Sequence, residues 1–445
     1  MPGFDGLSLL VERRFPDFGP NKRQEIVRLV FEISKREGIP GDLVVEGLPS
    51  GCRSYTVVKE HLLKRRFPGA AREGIRVTES FPALDIDPAC AMPLSRRDKV
   101  PAPQRIHVEE GLEKSALVRR LEQRFPEARF IPMKSYKDHC ARARFDITAY
   151  NRRTEEMFVV AQKHDHVKAC PCSVGAVPCG YHNANLGFGC PFECSYCFLQ
   201  NYTNAPGILL PASPDGFFAA FAGYPQDVRI GSGETADSLV YDDLTEFSPA
   251  IVDFFRSRPG ATFEFKTKSD NVKGLLGVRA SSNIVVGWSV NPPEVIAGEE
   301  HFTASLAERL DAAARCAGHG YRTAFHFDPV IHGPGWEKRY ARLVEDVFRA
   351  VPAESIAWIS VGTLRMTLAQ KKTIENRFPE NTILDAELLM AEDGKLRYAH
   401  QVRLDIYRKM MSWIREKAHA STRVYLCMET ASIWEQSGAG PDANF

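Results

Sequence analysis

The stretch between Ile284 and Phe327 decides the fold class. It begins with the apolar run Ile284-Val-Val-Gly-Trp-Ser289, continues with the amphipathic pattern Ala304–Ala317 and ends with a second apolar run, Thr323-Ala-Phe-His-Phe327. A buried strand, a helix and another buried strand make a β–α–β unit, in which the two strands lie parallel. The stretch therefore predicts an α/β fold with a parallel sheet covered by helices.

The same alternation continues on both sides of this unit. The further candidate strands are Asn183–Gly187, Val228–Ile230, Thr262–Phe265 and Ile356–Val361, and the helical patterns between them include Leu244–Arg256, Glu337–Val351 and Leu368–Phe378. Strands connected in this way by crossover helices are typical of a barrel built from β/α units. We therefore predict a partial (β/α)6 TIM-type barrel over residues 181–430.

Five of the candidate strands end in small or polar residues. These ends are Gly231-Ser-Gly-Glu234, Lys266-Thr-Lys-Ser269, Ser289-Val-Asn291, His326-Phe-Asp328 and Ser360-Val-Gly-Thr363. A single polar strand end can simply meet water. Because the loops at the carboxyl ends of barrel strands converge on one mouth, five in succession favour a functional site there.

The remaining residues divide into three regions. Residues 1–100 are predicted to be mainly helical, and residues 101–180 to form a small α/β unit that ends in a cysteine-rich loop. Residues 431–445 are predicted to be a C-terminal tail.

Composition and charge exclude several classes of protein. The chain has 445 residues, of which 44% are hydrophobic and 25% charged, so collagen-like, coiled-coil and wholly disordered chains are excluded. The net charge of +1 gives no electrostatic argument for a nucleic-acid partner. No apolar run approaches the ~20 residues of a membrane span, and no secretory signal is visible, so we expect no membrane partner and a cytoplasmic location.

The eleven cysteines are unevenly distributed, since six of them lie between Cys170 and Cys197. Such clustering in a large chain favours metal or cluster ligation over disulfides. The strongest motif is Cys190-Pro-Phe-Glu-Cys194-Ser-Tyr-Cys197. Three thiolates at this spacing can bind three irons of a [4Fe–4S] cluster and leave the fourth iron open. Zinc is the alternative, but structural zinc prefers four ligands.

A second cysteine group, Cys170-Pro-Cys172 with Cys179, lies just upstream. Three thiolates within ten residues can hold an auxiliary iron–sulfur cluster or zinc, although free thiols remain the alternative. Candidates for a fourth ligand are Cys140, His182 and Cys427. Outside the cysteine groups, candidates for a polar role near a substrate are His326, Asp328, His332, Arg365, Lys395, Arg397 and Tyr398.

The first motif and its surroundings resemble a known enzyme family. Cys-x3-Cys-x2-Cys is the signature of the radical S-adenosylmethionine superfamily. A closer similarity to the spore photoproduct lyase family, over roughly residues 107–430, is carried by Cys194–Gln200, Thr235–Asp237, Phe265–Lys268, Trp288–Asn291, Gly320–Pro329 and Gly335-Trp336. Residues before 100 have no counterpart in this resemblance.

The resemblance implies a radical, lyase-like activity. S-adenosylmethionine would bind the open iron, and one electron, supplied by a reductant such as flavodoxin or ferredoxin, would break the sulfonium bond. The resulting 5′-deoxyadenosyl radical would abstract hydrogen from a substrate, for which the resemblance implies a pyrimidine lesion in nucleic acid, as in DNA repair. A peptide or small metabolite is the alternative substrate, and a non-catalytic iron–sulfur or zinc protein is the alternative class.

The resemblance also implies roles for individual residues. The cluster ligands would be Cys190, Cys194 and Cys197. Glu234 would bind the methionine amino group, because a carboxylate suits an ammonium group. Lys268 and Ser289 stand where the family contacts the methionine carboxylate and the ribose.

The catalytic positions depart from the family pattern. Spore photoproduct lyases use a cysteine at the end of the second strand as hydrogen donor, helped by two tyrosines around the third cluster cysteine. Here Glu234 stands at the position of that cysteine, and Phe198 replaces one tyrosine while Tyr196 remains. The candidate catalytic residues are therefore Tyr196 and, as a substitute hydrogen donor, Cys427. We expect a non-spore branch of the family.

Overall fold

A computed structural model describes residues 4–49, 54–77, 81–94, 100–141, 146–163, 165–203, 205–225 and 227–439. The chain divides into two compact units. The first contains the described residues of 1–91 and 365–403, and the second those of 92–364 and 404–445. The sequence predicted that residues 365–403 continue the barrel, and this is wrong, because they belong to the unit of the N-terminal helices.

The first unit is mainly helical, as predicted for the N-terminal residues. Its α-helices are Phe4–Arg14, Pro20–Glu37, Gly41–Glu46, Tyr55–Arg66, Pro68–Arg72 and Leu368–Arg377, and a three-stranded antiparallel sheet contains Arg365–Met366, Leu396–Tyr398 and Leu388–Met390. Arg365, Arg397 and Tyr398 thus lie in a sheet of this unit and not at a barrel strand end. Arg397 pairs there with Asp393 at 2.6 Å.

Buried ion pairs explain why the helix Leu368–Arg377 belongs to this unit. Glu32 pairs with Lys371 at 2.7 Å and with Arg66 at 2.8 Å, and Glu375 pairs with Arg28 at 2.5 Å. Burial alone would raise the pKa of Glu32, but the neighbouring cations hold it well below its usual range. Buried charges are stable only with partners, so these pairs select the packing of the helix. A hydrophobic pattern does not reveal such pairing.

The second unit begins with a four-stranded parallel sheet. Its strand order is Arg129–Met133, Arg105–Glu109, Glu156–Val160 and Ile208–Pro211. The first three strands fall within the small α/β unit predicted over 101–180. The fourth strand comes from beyond that boundary, after the cysteine motif, so the predicted boundary at residue 180 is wrong.

The larger sheet of the second unit is the partial barrel. In spatial order its parallel strands are Arg423–Leu426, Ile356–Thr363, Arg322–Val330, Ile284–Ser289, Thr262–Thr267, Arg229–Ser232 and Tyr181–Ala184, with Val167–Ala169 antiparallel at the last edge. We number the parallel strands first to seventh in chain order, so the first is Tyr181–Ala184 and the seventh Arg423–Leu426. The expected parallel α/β barrel is confirmed, and the late strand before Cys427 adds a seventh strand to the predicted six.

The other elements of this unit surround the two sheets. Its helices are Ala116–Arg124, Tyr136–Cys140, Ile147–Asn151, Leu199–Tyr202, Asp215–Ala222, Asp242–Thr245, Phe247–Arg256, Lys273–Leu276, Pro293–Glu299, Leu306–Gly318, Trp336–Ala350, His400–Lys417, whose first turn lies in the first unit, and Ala431–Gln436. The expected tail 431–445 thus begins with a helix, and residues 440–445 lie outside the described residues. Within the described ranges, every helix is too short or too polar to cross a membrane.

A buried polar network fills the barrel interior. The His326 ring lies 2.7 Å from a carboxylate oxygen of Glu264 and 2.6 Å from the Ser360 hydroxyl, and the Trp358 indole donates to Glu264 at 3.0 Å. Glu264 is fully buried and His326 is 3% exposed. The structure therefore gives His326 partners inside the barrel wall, where a buried polar group must be hydrogen-bonded.

Gly287 of the fourth strand makes room for this network. A Cβ at Gly287 would stand 2.5 Å from Glu264 Oε1 and 2.9 Å from His326 Nε2. We expect Gly287→Ala to lower the free energy of unfolding by about 1–3 kcal/mol, because overpacking forces side chains from their positions. Urea unfolding measures the change. Gly298→Ala is the control, since no atom lies within 4 Å of its added Cβ, and equal stability of the two variants would contradict the prediction.

Candidate functional site

The three cysteines of the strongest motif lie in one loop that follows the first barrel strand. Within this loop, Glu193–Cys194 pairs antiparallel with Glu300–His301, so that Cys194 stands opposite Glu300. The Cys197 amide donates to the Cys194 carbonyl at 3.0 Å. Cys194 is 8% exposed, and Cys190 and Cys197 are partly buried. Backbone pairing thus fixes the part of the loop that carries Cys194 and Cys197.

Arg153 supports the loop from the small parallel sheet. Its guanidinium donates to the Cys190 carbonyl at 2.8 and 3.0 Å and to the Phe192 carbonyl at 2.9 Å, and it forms an ion pair with Glu193. Arg153 is 1% exposed and Glu193 2%. The guanidinium thus satisfies buried carbonyls of the loop on both sides of Pro191.

The electrostatics of the loop bring the three thiols into one environment. Burial is the main cause that raises the pKa of each thiol. The charge of Cys197 raises the pKa of the other two further, while Lys268 lowers the pKa of Cys194 and Cys197. Thiols this close together, beside a cation, suit ligation as thiolates.

The donor set of this loop fits an iron–sulfur cluster. Among the residues that the structure describes, no three His, Cys, Asp or Glu side chains converge on the position of a single ion. A [4Fe–4S] cluster does not require such convergence, because each thiolate binds a different iron. Three thiolates leave one iron of a [4Fe–4S] cluster open, whereas structural zinc takes four ligands.

Glu300 lies at the centre of a buried network beside this loop. It accepts hydrogen bonds from the Tyr196 hydroxyl, from Asn291 at 2.8 Å and from Arg309 at 2.7 Å. Lys268 follows the third strand, and its ammonium lies 5.7 Å from the centre of the Tyr196 ring. The network connects a predicted catalytic residue, Tyr196, with a predicted cofactor-binding residue, Lys268.

This network fixes charge states. Burial alone would lower the pKa of Lys268, but Glu300 and Cys194 raise it, so the ammonium stays charged. Burial raises the pKa of Tyr196 well above its usual value, and Glu300 adds to this effect. Tyr196 is therefore a neutral phenol whose proton points to Glu300.

Asp237 holds the ends of the second and third strands together. Its carboxylate accepts from the Thr267 hydroxyl at 2.7 Å, from the Lys268 amide at 2.8 Å and from the Leu239 amide at 3.0 Å. This carboxylate thereby fixes the backbone from which the Lys268 side chain departs. Asp237 is a positioning residue in this arrangement.

The other predicted cofactor-binding residues also lie at strand ends. Glu234 follows the second strand and is partly buried, and burial raises its pKa while Lys266 and Lys168 oppose the effect. Ser289 ends the fourth strand, and its carbonyl accepts from Arg309 at 2.9 Å. Glu234, Lys268 and Ser289 thus lie at the carboxyl ends of neighbouring strands of one sheet.

The second cysteine group lies in the loop between Val167–Ala169 and the first barrel strand. It contains Cys170, Cys172 and Cys179. Of the candidates for a fourth ligand, Cys140 hydrogen-bonds with Tyr136 beside the small sheet, and the His182 ring packs on Tyr224 with 5.3 Å between ring centres. Cys427 directly follows the seventh strand.

Three residues of the site, Arg153, Glu300 and Arg309, are not predicted from the sequence. Arg309 is fully buried in the helix Leu306–Gly318, where a lone arginine is ordinarily interpreted as a surface residue. Glu300 lies in a two-residue strand, which is too short for a periodic pattern. No local signal distinguishes these three from the other charged residues of the chain.

Comparison with known proteins identifies the family. The family model described as "Spore photoproduct lyase" matches residues 103–426. This chain belongs to the spore photoproduct lyase family. The match begins after the N-terminal helices, in agreement with the extent of the resemblance in the sequence.

Curated relatives of the family agree with this assignment. Spore photoproduct lyase from Geobacillus sp. (strain Y412MC61) is 29% identical over 206 residues, which cover 44% of this chain and 60% of the relative. Spore photoproduct lyase from Bacillus subtilis (strain 168) is 29% identical over 212 residues, which cover 45% of this chain and 61% of the relative. The chain thus matches about 60% of the length of these curated relatives.

Solved structures of spore photoproduct lyase share the fold. One, complexed with dinucleoside spore photoproduct, has a TM-score of 0.63 and 22% identity, and the match covers 74% of this chain and all of that chain. A mutant with bound AdoMet and dinucleoside spore photoproduct has a TM-score of 0.61 and 22% identity, with coverage of 73% and 99%. These likenesses confirm the partial barrel.

The lowered pKa of Glu300 predicts that the free energy of unfolding of this protein depends on pH. Burial would raise the pKa of Glu300, but Arg309 and Lys268 lower it to about 2. A carboxylate with a lowered pKa in the folded state stabilises the fold above its unfolded pKa, and the contribution is lost as the pH falls towards 2. We expect the free energy of unfolding to fall more steeply between pH ~4.5 and ~2 in the wild type than in Glu300→Gln. Urea unfolding across this pH range measures the free energy of unfolding of both proteins. An equal pH dependence in the two would contradict the lowered pKa of Glu300.

Proposed function

We propose that this protein is a radical S-adenosylmethionine enzyme that acts on a pyrimidine lesion in nucleic acid. The observation that carries the proposal is the trio Cys190, Cys194 and Cys197, which lies buried or partly buried in one loop beside Lys268 at a barrel strand end. Membership of the spore photoproduct lyase family supports the same conclusion.

The three thiolates would hold a [4Fe–4S] cluster whose fourth iron is open to S-adenosylmethionine. A cluster bound there would supply the electron for reductive cleavage of S-adenosylmethionine, and with it the chemistry of hydrogen abstraction from a substrate. A protein of the flavodoxin or ferredoxin class would supply the electron.

The residues of this chain bind and orient the cofactor in the proposal. Glu234 pairs with the methionine ammonium, Lys268 with its carboxylate, and Ser289 contacts the ribose. Asp237 holds the Lys268 backbone at 2.8 Å and so keeps that ammonium at the mouth. Tyr196, as a neutral phenol, is the candidate hydrogen relay.

The substrate assignment follows from the family and from the shape of a barrel mouth. The relatives carry the name spore photoproduct lyase, and a solved structure of similar fold holds dinucleoside spore photoproduct. A base in a duplex must leave the stack to reach such a mouth. Because Glu234 and Phe198 replace groups that carry hydrogen in the family, hydrogen return in this non-spore branch follows a different route.

Spectroscopy and product analysis test the proposal. After anaerobic reconstitution, we expect S-adenosylmethionine to change the electron paramagnetic resonance spectrum of the reduced protein. We also expect dinucleoside spore photoproduct, but not the undamaged dinucleoside, to accelerate release of 5′-deoxyadenosine. An unchanged spectrum would exclude the assignment of this protein as a radical S-adenosylmethionine enzyme. A changed spectrum with no response to the lesion would exclude this substrate and favour a peptide or small metabolite.

Replacing Lys268 tests cofactor binding separately from cluster binding. We expect Lys268→Met to raise the KM for S-adenosylmethionine about 10- to 100-fold, because one charge-assisted hydrogen bond is lost, while iron content stays constant. Lys273→Met is the matched control, since Lys273 is exposed on the next helix. A KM equal to that of the control would remove Lys268 from the cofactor site.

A further inference from the structure

The loop of residues 170–180 crosses the opening of the partial barrel, and we call it the seam loop. At one end, the Cys170 amide donates to the Tyr181 carbonyl at 2.9 Å and continues the pairing with the first strand. At the other end, Ala176 pairs with Thr430, and the Val177 amide donates to the Glu429 carbonyl at 2.8 Å. The first and seventh strands are the two ends of the parallel series, so the seam loop joins them.

The seam loop brings three cysteines towards a fourth. Cys427 follows the seventh strand, and its amide donates to the Val361 carbonyl at 2.8 Å. The next residue, Met428, accepts a hydrogen bond from the Ser173 amide at 3.1 Å, which ties the seam loop directly beside Cys427. Backbone contacts on both sides therefore hold the two cysteine-bearing segments together.

Backbone hydrogen bonds also keep the three loop cysteines near one another. The Cys172 amide donates to the Cys170 carbonyl at 2.9 Å, and Cys170 is itself bonded to Tyr181, which comes two residues after Cys179. The two ends of the seam loop that carry these cysteines are therefore held side by side.

We propose that a second [4Fe–4S] cluster binds between the seam loop and the end of the seventh strand. Its ligands would be Cys170, Cys172, Cys179 and Cys427. Four thiolates close all four corners of a cubane, so this cluster would have no open iron. Zinc fits less well, because structural zinc sites carry their cysteines at Cys-x2–4-Cys spacing, whereas only one residue separates Cys170 from Cys172. Within the described residues, none of these four cysteines forms a disulfide.

The other candidates for the fourth ligand are excluded by position. His182 follows Tyr181, whose ring lies 4.9 Å from the Arg229 guanidinium inside the barrel, so the His182 side chain points to the opposite face of the sheet. Cys140 forms a hydrogen bond with Tyr136 beside the small sheet. Of the three candidates for the fourth ligand, Cys427 therefore remains.

The proposal does not depend on the radical chemistry, because a cluster held by four seam thiolates would exist whether or not S-adenosylmethionine binds.

Iron and sulfide counting on anaerobically reconstituted protein tests the proposal. We expect about eight irons per wild-type chain, and about four in either the Cys190/Cys194/Cys197→Ala or the Cys170/Cys172/Cys179→Ala variant. Cys427→Ala should lose the second cluster as the seam triple variant does. Cys316→Ala is the control and should keep about eight, since this buried thiol lies in the helix Leu306–Gly318.

Three outcomes would overturn the proposal. They are about four irons in the wild type that all vanish in the first triple variant, zinc in place of the additional iron, and a Cys427→Ala variant that keeps its full iron content. The last outcome, combined with lost turnover, would instead make Cys427 the hydrogen donor. Circular dichroism and the remaining cluster spectrum of each variant show that a loss of iron does not result from unfolding.

Discussion

Cys194→Ala should lose the first cluster and reduce cleavage of S-adenosylmethionine to background. Cys194 is the most buried thiol of the trio and stands opposite Glu300 in the two-residue strand pair. Two remaining thiolates cannot hold a cubane against exchange with solvent, so the open iron is lost with the third ligand. Iron analysis and quantification of 5′-deoxyadenosine under dithionite measure the two effects.

Cys316→Ala serves as the control for this experiment. Its thiol is fully buried, but it lies on the helix Leu306–Gly318, away from both cysteine groups in the chain. We expect the control to keep its iron and its cleavage rate, although it also loses one buried thiol. Retained cleavage in Cys194→Ala would refute the assignment of the cluster to this loop.

Arg153→Met should destabilise the protein by about 3–5 kcal/mol and also lower its iron content. The substitution leaves the buried carboxylate of Glu193 without its cation and leaves the Cys190 and Phe192 carbonyls without their donor. An uncompensated buried charge costs far more than the interaction of an exposed pair contributes. Urea unfolding measures the stability, and iron analysis reports on the loop.

The neighbouring residue provides a matched control for this substitution. Arg152 is exposed and pairs with Glu155 at 2.7 Å, so Arg152→Met should cost no more than about 1 kcal/mol. The double variant Arg153→Met/Glu193→Gln should recover part of the stability, because the orphaned charge is removed with its partner. If Arg152→Met and Arg153→Met were equally stable, the supporting role of Arg153 would be wrong.

The barrel could be predicted from sequence because its information is local. Each central strand, such as Ile284–Ser289, is a short apolar run with a polar end, and its neighbours in space are the adjacent runs in the chain. The strand ends therefore placed Glu234, Lys268 and Ser289 on one edge of the sheet without knowledge of any contact. The spacing of the cysteine motif is local in the same sense.

The features that could not be predicted from the sequence depend on contacts between residues that are far apart in the chain. Arg152 and Arg153 are adjacent and chemically identical, yet one is exposed and the other 1% exposed, and only the position of Glu193 distinguishes them. The strand Ile208–Pro211 joins the small sheet although the barrel begins before it in the chain. Neither propensity nor periodicity encodes which of two remote partners a charge or a strand selects.

The contacts of Arg153 join segments that are made at different times. Arg153 begins the short turn before Glu156–Val160, an inner strand of the four-stranded sheet, and its guanidinium reaches the cysteine loop some forty residues later in the chain. During synthesis the supporting arginine therefore leaves the ribosome before the first cysteine that it organises. A fragment that starts at the first barrel strand would retain every thiol of the motif and still lack the arginine that holds the Cys190 and Phe192 carbonyls.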